Sequence, residues 1–229
     1  MGSDVNAAYF GETDPAKIIA ELCRQFYFEG WMPGTAGAMS ILGKGPSGPD
    51  TLLYVSPSGV QKERMQPGDM TIFDTFTKRF IDQSTNQFIP SASSAVFQLI
   101  YELTGTKACI HTHSKNAVLV TAILPNSASK FTISEVENIK AIPKYTEAGN
   151  LSFYDTLSIP IIDNKAHEEE LVDDLATALR ANPGAPAVLV RRHGLYVWGR
   201  DAWKAKVVNE AIEYLIDLKV AMHSLRIDS

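Results

Sequence analysis

The sequence reads as an α/β layered fold built on a mixed sheet. Short β-rich apolar runs and amphipathic helical stretches intermix along the chain, without the strict βαβ alternation of a doubly wound parallel sheet. Two of the β-rich runs, Ala108–His113 and Ala187–Arg192, end at or beside a histidine. No convincing linker interrupts residues 13–229, so they read as one domain. Residues 1–12, opening with Met1-Gly2-Ser3, read as a tag remnant and flexible N-terminus.

The elements follow in order. Thr13-Asp14-Pro15 supplies a capping side chain and a first-turn proline. Ile18, Ile19, Leu22 and Phe26 then carry an amphipathic helix to about Gly30. The small-residue loop Gly34–Ser40 leads into a strand near Ser40–Leu42, and Gly43–Asp50 is a turn. Leu52–Val55 and Met70–Asp74 read as strands, with the loop Ser56-Pro57-Ser58-Gly59 after the first. Pro90-Ser91-Ala92 opens a helix over Ser93–Thr104; Ala108–His113 is a strand, and Lys115–Ile123 a helix. Ile133, Val136, Ile139 and Ile142 give helical spacing to Ile133–Ile142. Leu157–Ile162 is strand-like, and Glu168–Arg180 is an amphipathic helix stopped by Asn182-Pro183-Gly184. Ala187–Arg192 and Gly194–Trp198 form a hairpin, and Asp201 caps a closing helix to Leu225.

The 229 residues are 45% hydrophobic and 21% charged, as in soluble globular proteins. A net charge of −5 without like-charge blocks gives no footing for nucleic acid or an anionic membrane. No apolar run approaches the ~20 residues of a membrane-spanning helix. The two cysteines, Cys23 and Cys109, argue against a disulfide framework and make the cytosol the default compartment.

The chemistry concentrates in Ala108-Cys109-Ile110-His111-Thr112-His113-Ser114. Residues i and i+2 of a strand share a face, so His111 and His113 project side by side. With His193, at the end of the second β-rich run, they form a three-histidine set suited to catalytic zinc with an open position. The alternative is a histidine pair hydrogen-bonded to backbone at a strand exit. Cys109 has the same parity but lies deeper, where core packing is expected; His167 and His223 read as surface residues. Three small-residue segments suit an anion: Gly34, Thr35 and Gly37; Ser56, Ser58 and Gly59; and Ser91 at a helix start. Glu135 and Glu137, in a largely apolar segment, are both candidates for a proton-transfer carboxylate.

In this order, Gly34–Ser40, Ser56-Pro57-Ser58-Gly59, His111-Thr112-His113-Ser114 and Arg192-His193-Gly194 resemble class II aldolase/adducin-type proteins. Val55–Arg64, Ile110–Lys115 and Val188–Gly199 are most similar to a branch of that family that dehydrates 5-methylthioribulose 1-phosphate in methionine salvage. The resemblance implies a three-layer α/β/α fold on a central mixed, mainly antiparallel sheet. It implies one zinc ion per subunit on His111, His113 and His193, and a small-molecule sugar-phosphate substrate. It implies a homotetramer with active sites at subunit interfaces, and Glu137, followed by Ile139-Lys140, as the acid/base. Where related aldolases carry a glutamate and eukaryotic-type dehydratases a cysteine, this chain has Ser93, which argues against simple aldol cleavage and makes Ser93 a candidate substrate contact. Aldol cleavage, 4-epimerisation and a non-catalytic interaction role are the alternatives on the same scaffold.

Overall fold

The computed structural model describes residues 12–45, 48–81 and 88–227. The tag remnant expected at Met1-Gly2-Ser3, and the expected flexible segment as far as residue 11, lie outside the described residues. The Glu12 carboxylate accepts the N–H groups of Thr13 and Asp14, each at 2.9 Å.

The described strands are β1 Ala38–Lys44, β2 Asp50–Val55, β3 Thr71–Asp74, β4 Arg79–Phe80, β5 Ala108–Thr112, β6 Lys130–Ser134, β7 Thr156–Ile162, β8 Ala187–Val190 and β9 Gly194–Gly199. They form one sheet in the order β4-β3-β2-β1-β5-β9-β8-β7-β6. The β7–β8 pair is parallel and the other pairings are antiparallel, which gives the mixed, mainly antiparallel sheet. The described α-helices are α1 Pro15–Phe28, α2 Ser94–Thr104, α3 Lys115–Ile123, α4 Val172–Ala181 and α5 Ala202–Ser224. The starts of α1, α3 and α5 are fixed by the side chains of Asp14, Ser114 and Asp201, which accept the N–H groups of Ala16, Ala117 and Lys204. Gly105, at φ 67°, ends α2 in the left-handed conformation that glycine adopts without steric cost.

Strand alternation sorts the helices into two outer layers. Ala108 and Ile110 of β5 pack with α1 and the start of α5, whereas Cys109 packs with α2 and α4. Leu189, Leu195 and Val197 face α3 and α5. The sheet is thus covered on both sides, and its central strands are buried along their length.

Two sequence expectations are corrected. Ile133 does not begin a helix but belongs to β6, where Phe131 and Ile133 point inward and their neighbours outward. Glu135, at φ 56°, then ends the strand, and a 3-10 turn covers Glu137–Ala141. The spacing of Ile133, Ile139 and Ile142 therefore reflects a strand followed by a turn that bury the same face. The helix expected from Glu168 begins as a 3-10 turn, Glu168–Leu171, before α4.

At the start of β9, Gly194 lies against the end of β5. A Cβ there would lie 1.9 Å from the Thr112 carbonyl oxygen. Gly194→Ala is expected to destabilise the protein by at least ~3 kcal/mol, measured by denaturant unfolding, because backbone must move to admit the methyl group.

Candidate metal centre

β5 carries His111 and Thr112 to its end, and His113 follows as the chain turns into α3. The turn between β8 and β9 carries His193, beside β5. That turn has a left-handed residue, Arg192 at φ 55°, a conformation that costs a non-glycine residue about 1–3 kcal/mol. Its surroundings hold it there. Arg192 donates its N–H to Thr121 Oγ1 at 2.9 Å, and the Arg191 guanidinium donates to the carbonyls of Thr121 and Ala128 at 3.0 and 2.8 Å.

The result is a convergence of three imidazoles. His113 Nε2 lies 2.9 Å from His111 Nε2 and 3.0 Å from His193 Nε2. On the far side of two rings an oxygen fixes the tautomer: His111 Nδ1 faces the Leu195 carbonyl at 3.1 Å and His193 Nδ1 faces Asn164 Oδ1 at 2.9 Å. Both oxygens are acceptors, so each Nδ1 carries the proton and each Nε2 presents a lone pair. The His111 ring also stacks flat on Tyr196, centroids 4.0 Å apart.

Burial, reinforced by the neighbouring imidazoles, holds the imidazolium form of His111 well below its usual range, and burial lowers His113 to about 4 and His193 in the same direction. All three are therefore neutral near pH 7, the form that binds metal. Nitrogens bound tetrahedrally at about 2.0–2.1 Å stand ~3.3 Å apart, within a few tenths of an ångström of the observed spacings. The donor set thus fits a metal ion. The ligand atoms of His111, His113, His193 and Glu168 all lie within 4.8 Å of one another. Cys109, which shares the parity of the pair, is buried in the core and is not in this group.

Behind the site, Thr112 points the other way and donates to Glu213 Oε1 on α5 at 2.6 Å. Burial raises the Glu213 carboxyl to about 7 against the hydrogen bonds of Ser114 and Thr112, and the charge of Asp217 adds to the rise.

The expected anion loops stand around the strand end. His113 donates its N–H to the Trp31 carbonyl at 2.8 Å, and Gly37 packs so closely on the His111 carbonyl that a Cβ would lie 2.8 Å from its oxygen. Lys62 ties the next turn to this one: its N–H meets the Gly34 carbonyl, and its buried ammonium donates to the carbonyls of Thr35 and Val60 at 2.9 and 3.3 Å. Ser58 and Gly59 lie in that turn, with Ser58 bridged to Ile89. Ser56 is fully buried and its hydroxyl accepts the Met39 N–H at 3.0 Å, so it joins loop to strand. The Ser91 hydroxyl accepts the Ser93 N–H, and the Ser93 hydroxyl donates to Glu168 Oε2.

Glu137 is not in the histidine group. It opens the 3-10 turn, its side chain is 73% exposed, and its carboxylate pairs with Lys140 at 2.9 Å. Glu135 is also exposed. Glu168, which does reach the histidines, was missed by sequence reading. It is one of three successive glutamates, and no spacing sets it apart from its neighbours. Asn164 was equally silent, whereas Lys62 stands close in sequence to the Ser56–Gly59 loop.

The family model of the class II aldolase and adducin N-terminal domain matches residues 17–220. A methylthioribulose-1-phosphate dehydratase of Komagataella phaffii is 48% identical, over 94% of this chain and 85% of its own. One of Lodderomyces elongisporus is 44% identical, over 97% and 86%. Among solved structures, an L-fuculose 1-phosphate aldolase superposes with a TM-score of 0.70 at 16% identity, covering 93% of this chain and 88% of that one. The L-fuculose-1-phosphate aldolase of Thermus thermophilus superposes at 0.62 with 22% identity, covering 91% and 93%. These structural likenesses speak for the fold.

Two outcomes are expected. Asn164→Leu removes the acceptor that orients His193 and weakens metal affinity by about 10–100-fold in a chelator competition. Glu213 has a raised carboxyl, so the folded state holds its proton more tightly than the unfolded chain. Its contribution is full below the unfolded value of 4.5 and is lost as pH rises through about 7. Glu213→Gln lacks this loss, so its Tm relative to wild type rises between pH 5 and 8.

Proposed function

The chain belongs to the class II aldolase and adducin family and, within it, to the methylthioribulose-1-phosphate dehydratases, which are hydro-lyases, and from that premise we propose how its residues serve that reaction. The substrate is 5-methylthioribulose 1-phosphate and the product 2,3-diketo-5-methylthiopentyl 1-phosphate, a step of methionine salvage in the cytosol. The observation that carries the reading is the convergence of His111, His113 and His193, two of them with their protonated nitrogens turned away toward fixed acceptors. These three residues hold the metal, taken here as one zinc ion per subunit. When bound, it supplies Lewis acidity that polarises the C2 carbonyl and acidifies the C3 proton.

The remaining steps fall to the chain. The substrate phosphate lies against the N–H groups and hydroxyls of Gly34, Thr35, Gly37, Ser58, Gly59 and Ser91, with the Lys62 charge behind the first two loops. Ser56 holds its loop to β1, and Ser93 lies at the metal end through Glu168. Glu137 takes the proton from C3; the C3–H electron pair forms the C3–C4 double bond, and the C4–O bond breaks. The leaving hydroxide takes up the proton as water. The C3 enol then passes its hydroxyl proton to C4 and becomes the second ketone.

Glu137 stands on the surface, outside its own chain's histidine group. In the homotetramer we propose, it serves the site of an adjacent subunit. A mixing experiment tests this. Glu137→Gln and His113→Ala are each expected to lose most turnover while keeping the fold. Reassembled together at equal amounts, they regain roughly a quarter of wild-type diketone formation if carboxylate and histidines come from different chains. No recovery places Glu137 in its own site or outside the mechanism. Chelator-insensitive turnover overturns the metal reading, and turnover only on pentulose or deoxyhexulose phosphates overturns the substrate reading.

A further inference from the structure

We propose that Glu168 is a fourth, exchangeable ligand of the metal, held in reserve by Ser93 and Tyr196. The inference rests on the reading of the three histidines as metal ligands. The two carboxylate oxygens of Glu168 are used differently. Oε2 accepts two hydroxyl hydrogen bonds, one from Ser93 Oγ and one from Tyr196 Oη at 3.0 Å. Oε1 accepts none among the described residues and stands 3.9 Å from His111 Nε2. That places an unshared anionic oxygen beside lone-pair nitrogens, an arrangement without mutual attraction until a cation lies between them. The Glu168 side chain is 19% exposed, and no lysine or arginine among the described residues forms an ion pair with it.

The anchoring makes the carboxylate a pivot. Ser93 lies at the start of α2, Glu168 at the start of the 3-10 turn before α4, and Tyr196 on β9, stacked on the His111 ring. One oxygen is thereby tied to both the helix layer and a ligand imidazole, and the other is left to meet the metal. Catalytic zinc sites combine three protein ligands with a position open to water or substrate. Glu168 Oε1 would occupy that position in the resting protein and give it up when the oxygens of the sugar phosphate enter, with Oε2 anchored on its two hydroxyl partners throughout. Ser93 and Tyr196 are positioning residues for this exchange. The serine at position 93 thus holds a carboxylate that arrives from a different segment of the chain.

The test is metal binding, read without turnover. Metal-stripped protein is titrated with cobalt(II) and followed by visible absorption and by competition with a chelator. Wild type, Glu168→Gln, Tyr196→Phe and His113→Ala are compared, with circular dichroism to check the fold. Glu168→Gln is expected to bind cobalt at least about 10-fold more weakly and to shift its absorption bands. Tyr196→Phe keeps the ring stack and loses only the hydroxyl; it is expected to shift the bands in the same sense, and it remains informative if Glu168→Gln misfolds. Wild-type affinity and spectrum in both variants overturn the proposal for Glu168 and leave the three-histidine reading standing. Failure of wild type to bind cobalt, or undiminished binding by His113→Ala, overturns that reading and this inference with it.

Discussion

The convergence of three imidazole nitrogens is the constraint on which the site depends. His111 and His193 turn Nε2 lone pairs toward His113 Nε2 at 2.9 and 3.0 Å, and that one nitrogen can offer at most a single proton between them, so contacts among the rings alone do not hold the three in place. The surrounding structure does it instead. Tyr196 stacks under one ring and the Leu195 carbonyl fixes its tautomer; Asn164 orients another. The left-handed Arg192 and the side chain of Arg191 pin the turn that delivers His193. Gly194 lets the two strand ends close to contact. Each device carries a small cost in strain or burial, and the cation that these donors suit offsets it on binding.

The site is also braced from behind. Thr112, between the two histidines, points into the opposite layer and meets Glu213 of α5. A strand whose odd residues enter the histidine cluster and whose even residue is tied to the longest described helix cannot twist without breaking one set or the other. Lys62 braces the front in a similar way, where one buried ammonium joins the Gly34–Gly37 loop to the turn after Ser58. Its ammonium meets carbonyl oxygens and no carboxylate among the described residues.

Much of this was legible in the sequence because it follows from period. Parity alone sets His111 and His113 on one side of a strand, and caps such as Asp14 and Asp201 mark where helices begin. The mixed sheet followed from the irregular order of elements. Period misled where two elements bury one face in succession: Ile133 in β6 and Ile139 in the following turn mimic a helix. The burial of Lys62 was not legible, since lysine is rarely buried and only the fold supplies its carbonyl partners. Glu168 was illegible for another reason. Its meaning depends on a serine 75 residues earlier and a tyrosine 28 later, and no local pattern records such pairs.

The distance along the chain between the ligands has its own consequence. His113 precedes His193 by 80 residues. During synthesis the first two histidines are made while β7, β8 and β9 do not yet exist. A cation arriving then finds only two of the three histidines. The full set forms when the hairpin of β8 and β9 docks on β5, so tight capture of the ion reports that the central strands have assembled in register. Once captured, the ion closes a long loop and withdraws that hairpin from the fluctuations that would otherwise unzip it. The metal centre thus doubles as a proof of completed assembly.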